Sequence, residues 1–186
     1  MPLTIVAAAL LGQGAFAQPP AEPRAADPLV AVPAEAEDDY QRLQAIAATV
    51  AARAPSWDAQ DSQFALAATA QVTLEAFIAA ENVVETTAAT TTGERVTIRV
   101  IGDEEAMTAF AETTADPAKV KQASLEAAEM AGAPALKRRG EDGSLTVAVM
   151  SEKDHALIEI EGDDPDAVMA FIGEFEASME KDATEN

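Results

Sequence analysis

The chain has no cysteine among its 186 residues. That absence excludes disulfides, thiolate nucleophiles, thiolate metal centres and a lipidated anchor cysteine together, and leaves packing as the source of stability. Histidine occurs once, at His155, so a zinc site would have to rely on that imidazole and carboxylates alone. Aromatic residues are scarce, with six phenylalanines, one tyrosine and one tryptophan, which argues against a face that stacks sugars or single-stranded bases. Basic residues number 12 against 33 acidic ones, a formal net charge of -21. Such a surface repels polyanions, so nucleic acid and an anionic membrane are excluded as expected partners, and a solvated monomer is expected. Phosphate-binding loops, the dinucleotide glycine fingerprint, the metalloprotease histidine pair and the serine nucleophile elbow are all missing.

What is present divides the chain. Residues 3–11 are apolar and lead to Ala15-Phe16-Ala17, the small-x-small pattern of a cleaved export signal, although no Lys or Arg precedes them. The stretch is too short to span a bilayer. We therefore expect a signal peptide over 1–17, with Gln18 as the first mature residue and a periplasmic or secreted location. Five of the ten prolines fall in residues 18–36, which carry too little apolar surface to offset the entropy of ordering, so a disordered tether is expected there.

From Glu37 the pattern is helical. Tyr40, Leu43, Ile46, Ala47 and Val50 share one face, acids fill the first turn, and Pro55 follows the end. Trp57 is expected to be a core anchor at the turn that follows. Residues 60–81 fit both an alternating strand and a helical stripe, and their alanine content favours helix. Threonine and valine then dominate, and 83–101 reads as two strands joined at Gly93. Two helices are expected next, one after Asp103 and one from Pro117 to Gly132. A strand, a Gly-Glu-Asp-Gly turn, two more strands and a helix with the stripe Val168, Phe171, Ile172, Phe175 and Met179 complete the pattern, before a frayed tail at 181–186.

The expected fold is α+β: over 37–180, an amino-terminal helical segment and an antiparallel sheet of about five strands with helices on one face. Two joints echo each other, IRVIGDEEAMTAF at 98–110 and IEIEGDDPDAVMAF at 158–171. They suggest a β-β-α pseudo-repeat, or else only the shared grammar of strands that lead into capped helices.

Three candidate sites follow. Asp163, Asp164 and Asp166 crowd one joint as a cation site would, yet they lack the spacing of a calcium loop, and Asp164 as N-cap with Pro165 in the first turn accounts for them structurally. His155, with Ser151 and Asp154 nearby, hints at a hydrolase relay but fits a surface hairpin better. Lys137, Arg138 and Arg139 form the one basic cluster. They suit docking of an acidic partner, or a charged edge strand that resists aggregation. No catalytic motif and no cofactor are expected. The leading expectation is a non-enzymatic exported protein-interaction or envelope accessory domain; the alternative is a small-molecule or cation carrier that uses a groove between sheet and helices.

Overall fold

The computed structural model describes residues 37–60, 63–65 and 82–185. The expected signal peptide, the tether and most of the helix expected over 60–81 lie outside the described residues.

Helix α1 (Glu37–Ala52) buries Leu43, Ala47, Val50 and Ala51, the stripe that its sequence spacing sets on one side. Two short strands follow, β1 (Asp58–Ala59) and β2 (Gln63–Ala65), both paired with β3 (Val83–Ala89). Residues 63–65 are thus strand where helix was expected. Pairing with an available edge overrides the intrinsic preference of so short a segment. β3 turns into β4 (Arg95–Ile101) at Gly93, whose φ of 96° favours glycine.

Helix α2 (Glu104–Ala115) is capped by Asp103, which accepts a hydrogen bond from Ala106 N at 2.8 Å. The second expected helix is cut short: α3 covers only Pro117–Gln122, and Glu126–Met130 is strand β5. Ser124 takes a φ of 56°, which breaks the helix, and β5 then pairs along β6 (Ala133–Arg139). β7 (Leu145–Ser151), β8 (Ala156–Gly162) and α4 (Pro165–Glu185) complete the chain, and α4 runs on through the segment expected to fray.

The sheet is antiparallel, with seven strands in the order β1-β3-β4-β8-β7-β6-β5 and β2 also on β3. It exceeds the five strands expected because β1 and β5 lie in segments that read as loop or helix. Helices cover both faces of the sheet, whereas one face was expected. Val84, Ile98, Val147, Ile158 and Ile160 pack in one cluster with α1 and α4. Val83, Ile101, Leu136, Ala148 and Leu157 pack in a second with α2 and α3. Adjacent residues such as Val83 and Val84 fall in different clusters because side chains alternate along a strand. The buried runs 145–149 and 156–160 are the signature of strands covered on both sides.

The likeness of the two strand-to-helix joints reaches the cap and stops there. Asp103 and Asp164 each accept from an amide of the following turn, but α2 and α4 pack on opposite faces. Trp57 is buried as expected, with its ring 5.4 Å from that of Phe171 and nearly perpendicular to it. No helix among the described residues is long and apolar enough to cross a membrane.

Candidate binding cleft

The β5–β6 and β7–β8 turns sit at the same end of the sheet, because Ala135 pairs with Val149 and Ser151 with Ala156. At that end a cleft of about 930 Å³ opens between α1, α4 and the two turns. Its apolar lining includes Val149 and Ile158 from the sheet, Ile46 and Val50 from α1, and Phe175 and Met179 from α4. α2 contributes Phe110, Ala111 and Thr114, so the lining draws on helices from both layers. Three of the six methionines, Met130, Met150 and Met179, border it. Their unbranched thioether chains suit an adaptable apolar wall.

Helical spacing explains the α1 contribution. Arg42, Ile46 and Thr49 recur at three- and four-residue steps and form a stripe beside the buried one, which Arg53 continues just past the end of α1. On α4, Phe175 and Met179 stand one turn apart, the first buried and the second 38% exposed at the end of the apolar stripe.

The rim is fastened by contacts between distant parts of the chain. Arg42 Nη1 donates to the carbonyl oxygens of Asp154 and His155, at 2.9 and 3.4 Å, and ties α1 to the β7–β8 turn. Arg53 Nη1 pairs with Asp182 Oδ2 at 2.8 Å, and Ser56 N donates to Glu174 Oε2 at 3.0 Å; both join the end of α1 to α4. Ala131 N donates to Glu176 Oε1 at 2.9 Å and ties the β5–β6 turn to α4. Ala131 and Gly132 have φ of 51° and 78°, the left-handed pair of a tight hairpin turn, which is costly for an alanine. A cleft held at this many points is preformed, as small-molecule sites usually are.

The residues singled out from the sequence are dispersed. Lys137 and Arg139 fall on the α1/α4 face, opposite Val147 and Leu145, while Arg138 falls on the other face, opposite Thr146. Strand β6 is internal, flanked by β5 and β7, and is not the charged edge expected; Lys137 is the cross-strand partner of Glu126. Asp164 Oδ1 accepts from Asp166 N at 2.9 Å and its carbonyl from Val168 N at 3.2 Å, the bonds of an N-cap. Asp163, Asp164 and Asp166 are exposed, and no cluster of three or more metal-binding side chains occurs among the described residues. Ser151 Oγ donates to Asp154 Oδ2 at 2.7 Å, while His155 Nε2 stands 3.7 Å from Glu104 Oε1 on the surface. Serine and imidazole are therefore held by different partners.

Arg99 and Asp142 depart from their ordinary pKa values. Burial works against the charge on Arg99, but the hydrogen bond and charge of Glu161, the hydrogen bond of Glu85 and the charge of Glu159 outweigh it, and its pKa rises. Asp142, in the β6–β7 turn, is held below the usual carboxylate range by hydrogen bonds from the Ser144 hydroxyl and amide.

The alternative reading of the sequence allowed for a groove between sheet and helices but named none of its residues, because they come from separate elements and share no motif. Two signals were available: Arg42 and Arg53 on one face of a helix with an acidic start, and Met179 at the far end of an apolar stripe. Comparison of the chain with protein-family models, curated proteins and solved structures finds no match.

Proposed function

We propose that the domain binds a small, largely apolar molecule in the cleft between α1, α4 and the β5–β6 and β7–β8 turns, and carries or presents it without altering it chemically. The observation that supports this reading is a fastened cleft of about 930 Å³ with an apolar wall, within the range of about 300–1,000 Å³ usual for small-molecule sites. The basic residues of β6 give the protein-docking reading less support, since Lys137 and Arg138 face opposite sides of the sheet. Export belongs to the same proposal and rests on the sequence of residues 3–17; a mature protein that begins at Gln18 is the expected mass.

Titration of methyl-labelled protein with decanol tests the cleft. The methyl resonances of Met130, Met150 and Met179 should move together and saturate at one equivalent, while that of exposed Met169 stays in place. Ile46→Trp, which fills the space from α1, should abolish the shifts in a folded protein. An absence of saturable shifts, or shifts at Met169 alone, overturns the proposal.

A further inference from the structure

We infer that the cleft is built for an amphiphile with one acidic headgroup, its apolar chain against the sheet and helices and its headgroup at the rim formed by Arg42 and Lys153. This rests on the cleft reading above and adds the charge of the ligand to it.

The charge balance of the lining is the reverse of that of the chain. Across the whole sequence acids outnumber bases 33 to 12, yet the cleft is lined by three cations, Arg42, Arg53 and Lys153, against two carboxylates, Glu152 and Asp154. These charges are engaged in different ways. Arg53 is matched by Asp182 at 2.8 Å, Asp154 accepts from the uncharged Ser151 hydroxyl, and Glu152 is exposed on the β7–β8 turn.

Arg42 is held differently. Its Nη1 donates to two backbone carbonyls, acceptors that fix the guanidinium in place without cancelling its charge. Its nearest carboxylate, Asp39, lies 3.7 Å from Nε with 59% of its side chain exposed, a pair that solvent largely screens. Among the described residues no carboxylate stands within ion-pairing distance of Lys153, whose side chain is exposed on the β7–β8 turn.

One cation is therefore positioned and another is exposed, both beside an apolar wall from Val149, Ile158, Phe175 and Met179. A neutral apolar ligand would leave both unanswered. A cationic amphiphile would meet them head on. A carboxylate on an apolar chain satisfies both halves of the lining, because charge-assisted hydrogen bonds at a half-desolvated rim are stronger than those at open surface.

The test compares three ten-carbon probes below their micelle concentrations at low salt: decanoate, decanol and decyltrimethylammonium, by calorimetry on the protein with 37–186 intact. Decanoate should bind about tenfold more tightly than decanol, roughly one close charge contact's worth, and the ammonium probe most weakly. The preference should shrink at high salt, and in Lys153→Glu the ratio of decanoate to decanol affinity should fall to about one. Equal binding of all three probes, or tighter binding of the ammonium probe, overturns the charge inference while the cleft reading stands. No saturable binding of any probe overturns both.

Discussion

The indole of Trp57 meets the ring of Phe171 edge-on, with centroids 5.4 Å apart and planes at 79°. This contact closes the layer that α1 and α4 form over one face of the sheet, and it holds the two helices whose further turns border the cleft. Phe171→Ala should lower stability by about 3–5 kcal/mol through lost burial and the cavity left behind. Trp57→Phe should cost less, because much of the buried ring remains. Chemical denaturation followed by circular dichroism reads both. Since Trp57 is the only tryptophan, its fluorescence in the parent protein should report the same transition as the backbone signal; a separate, earlier fluorescence change would show that α1 leaves the sheet independently.

On the opposite face, the Arg99 guanidinium on β4 gathers carboxylates from the two strands beside it, β3 and β8. Its Nε donates to Glu85 at 2.9 Å, its Nη1 donates to Glu161, and Nη1 stands 3.9 Å from Glu159, which is fully buried. Arg99→Met removes the cation and leaves its carboxylates without that partner, so a loss of about 3–5 kcal/mol is expected. Adding Glu159→Gln to Arg99→Met should recover part of that loss, since the second change removes a buried charge. A double variant no more stable than Arg99→Met in urea denaturation would rule out buried charge as the cause. The sign of the pH dependence follows from the raised pKa of Arg99. A cation with a raised folded pKa stabilises fully below its ordinary value and loses that contribution only as pH rises through the folded one, so mild alkali leaves this term intact.

Much of this architecture is legible in the sequence where one physical signal dominates. The stripe of α1, the β3–β4 hairpin with Gly93 at its turn, strands β6 to β8 and the stripe of α4 all follow from clear periodicity. Strand β5 is not legible, because Glu126-Ala127-Ala128-Glu129-Met130 has the composition of a helix and becomes strand by pairing with Ala133 to Lys137. The second covered face hides for a related reason. Ala148 and Leu157 lie between residues that already satisfy an alternating pattern, so a continuous buried run reads as one face with spare apolar residues. The cleft is the least legible feature, since it depends on which turns and helix ends meet at one end of the sheet.

Glycine substitutions separate crowding from conformation. At Gly162 a Cβ would lie 2.9 Å from Val168 Cγ2 and 3.1 Å from Arg95 O, where α4 turns back over the end of β8. Gly162→Ala should therefore destabilise by about 1–3 kcal/mol, the usual cost of overpacking. Gly173 lies within α4 and a Cβ there meets nothing within 4 Å. Gly173→Ala should stabilise by about 0.5–1 kcal/mol, because alanine loses less backbone freedom in a helix. Thermal melts of the two variants should shift in opposite directions, and a shared direction would contradict the packing at the β8–α4 joint.

The aspartates at that joint give a sharper test of what they are for. Asp164 Oδ1 accepts the Asp166 amide at 2.9 Å, and the Asp166 carboxylate sits in the first turn of α4, where the helix dipole favours it. If capping is the whole role, Asp164→Asn should be nearly neutral, since asparagine caps as well as aspartate does, whereas Asp164→Ala should cost about 1 kcal/mol. A cation site would reverse that order of importance, because removing one carboxylate charge would matter whatever the cap. Calcium or magnesium titration of the parent protein should leave the amide resonances of 163–166 in place. Saturable movement there, lost in Asp164→Asn, would reassign the joint from helix cap to ion site.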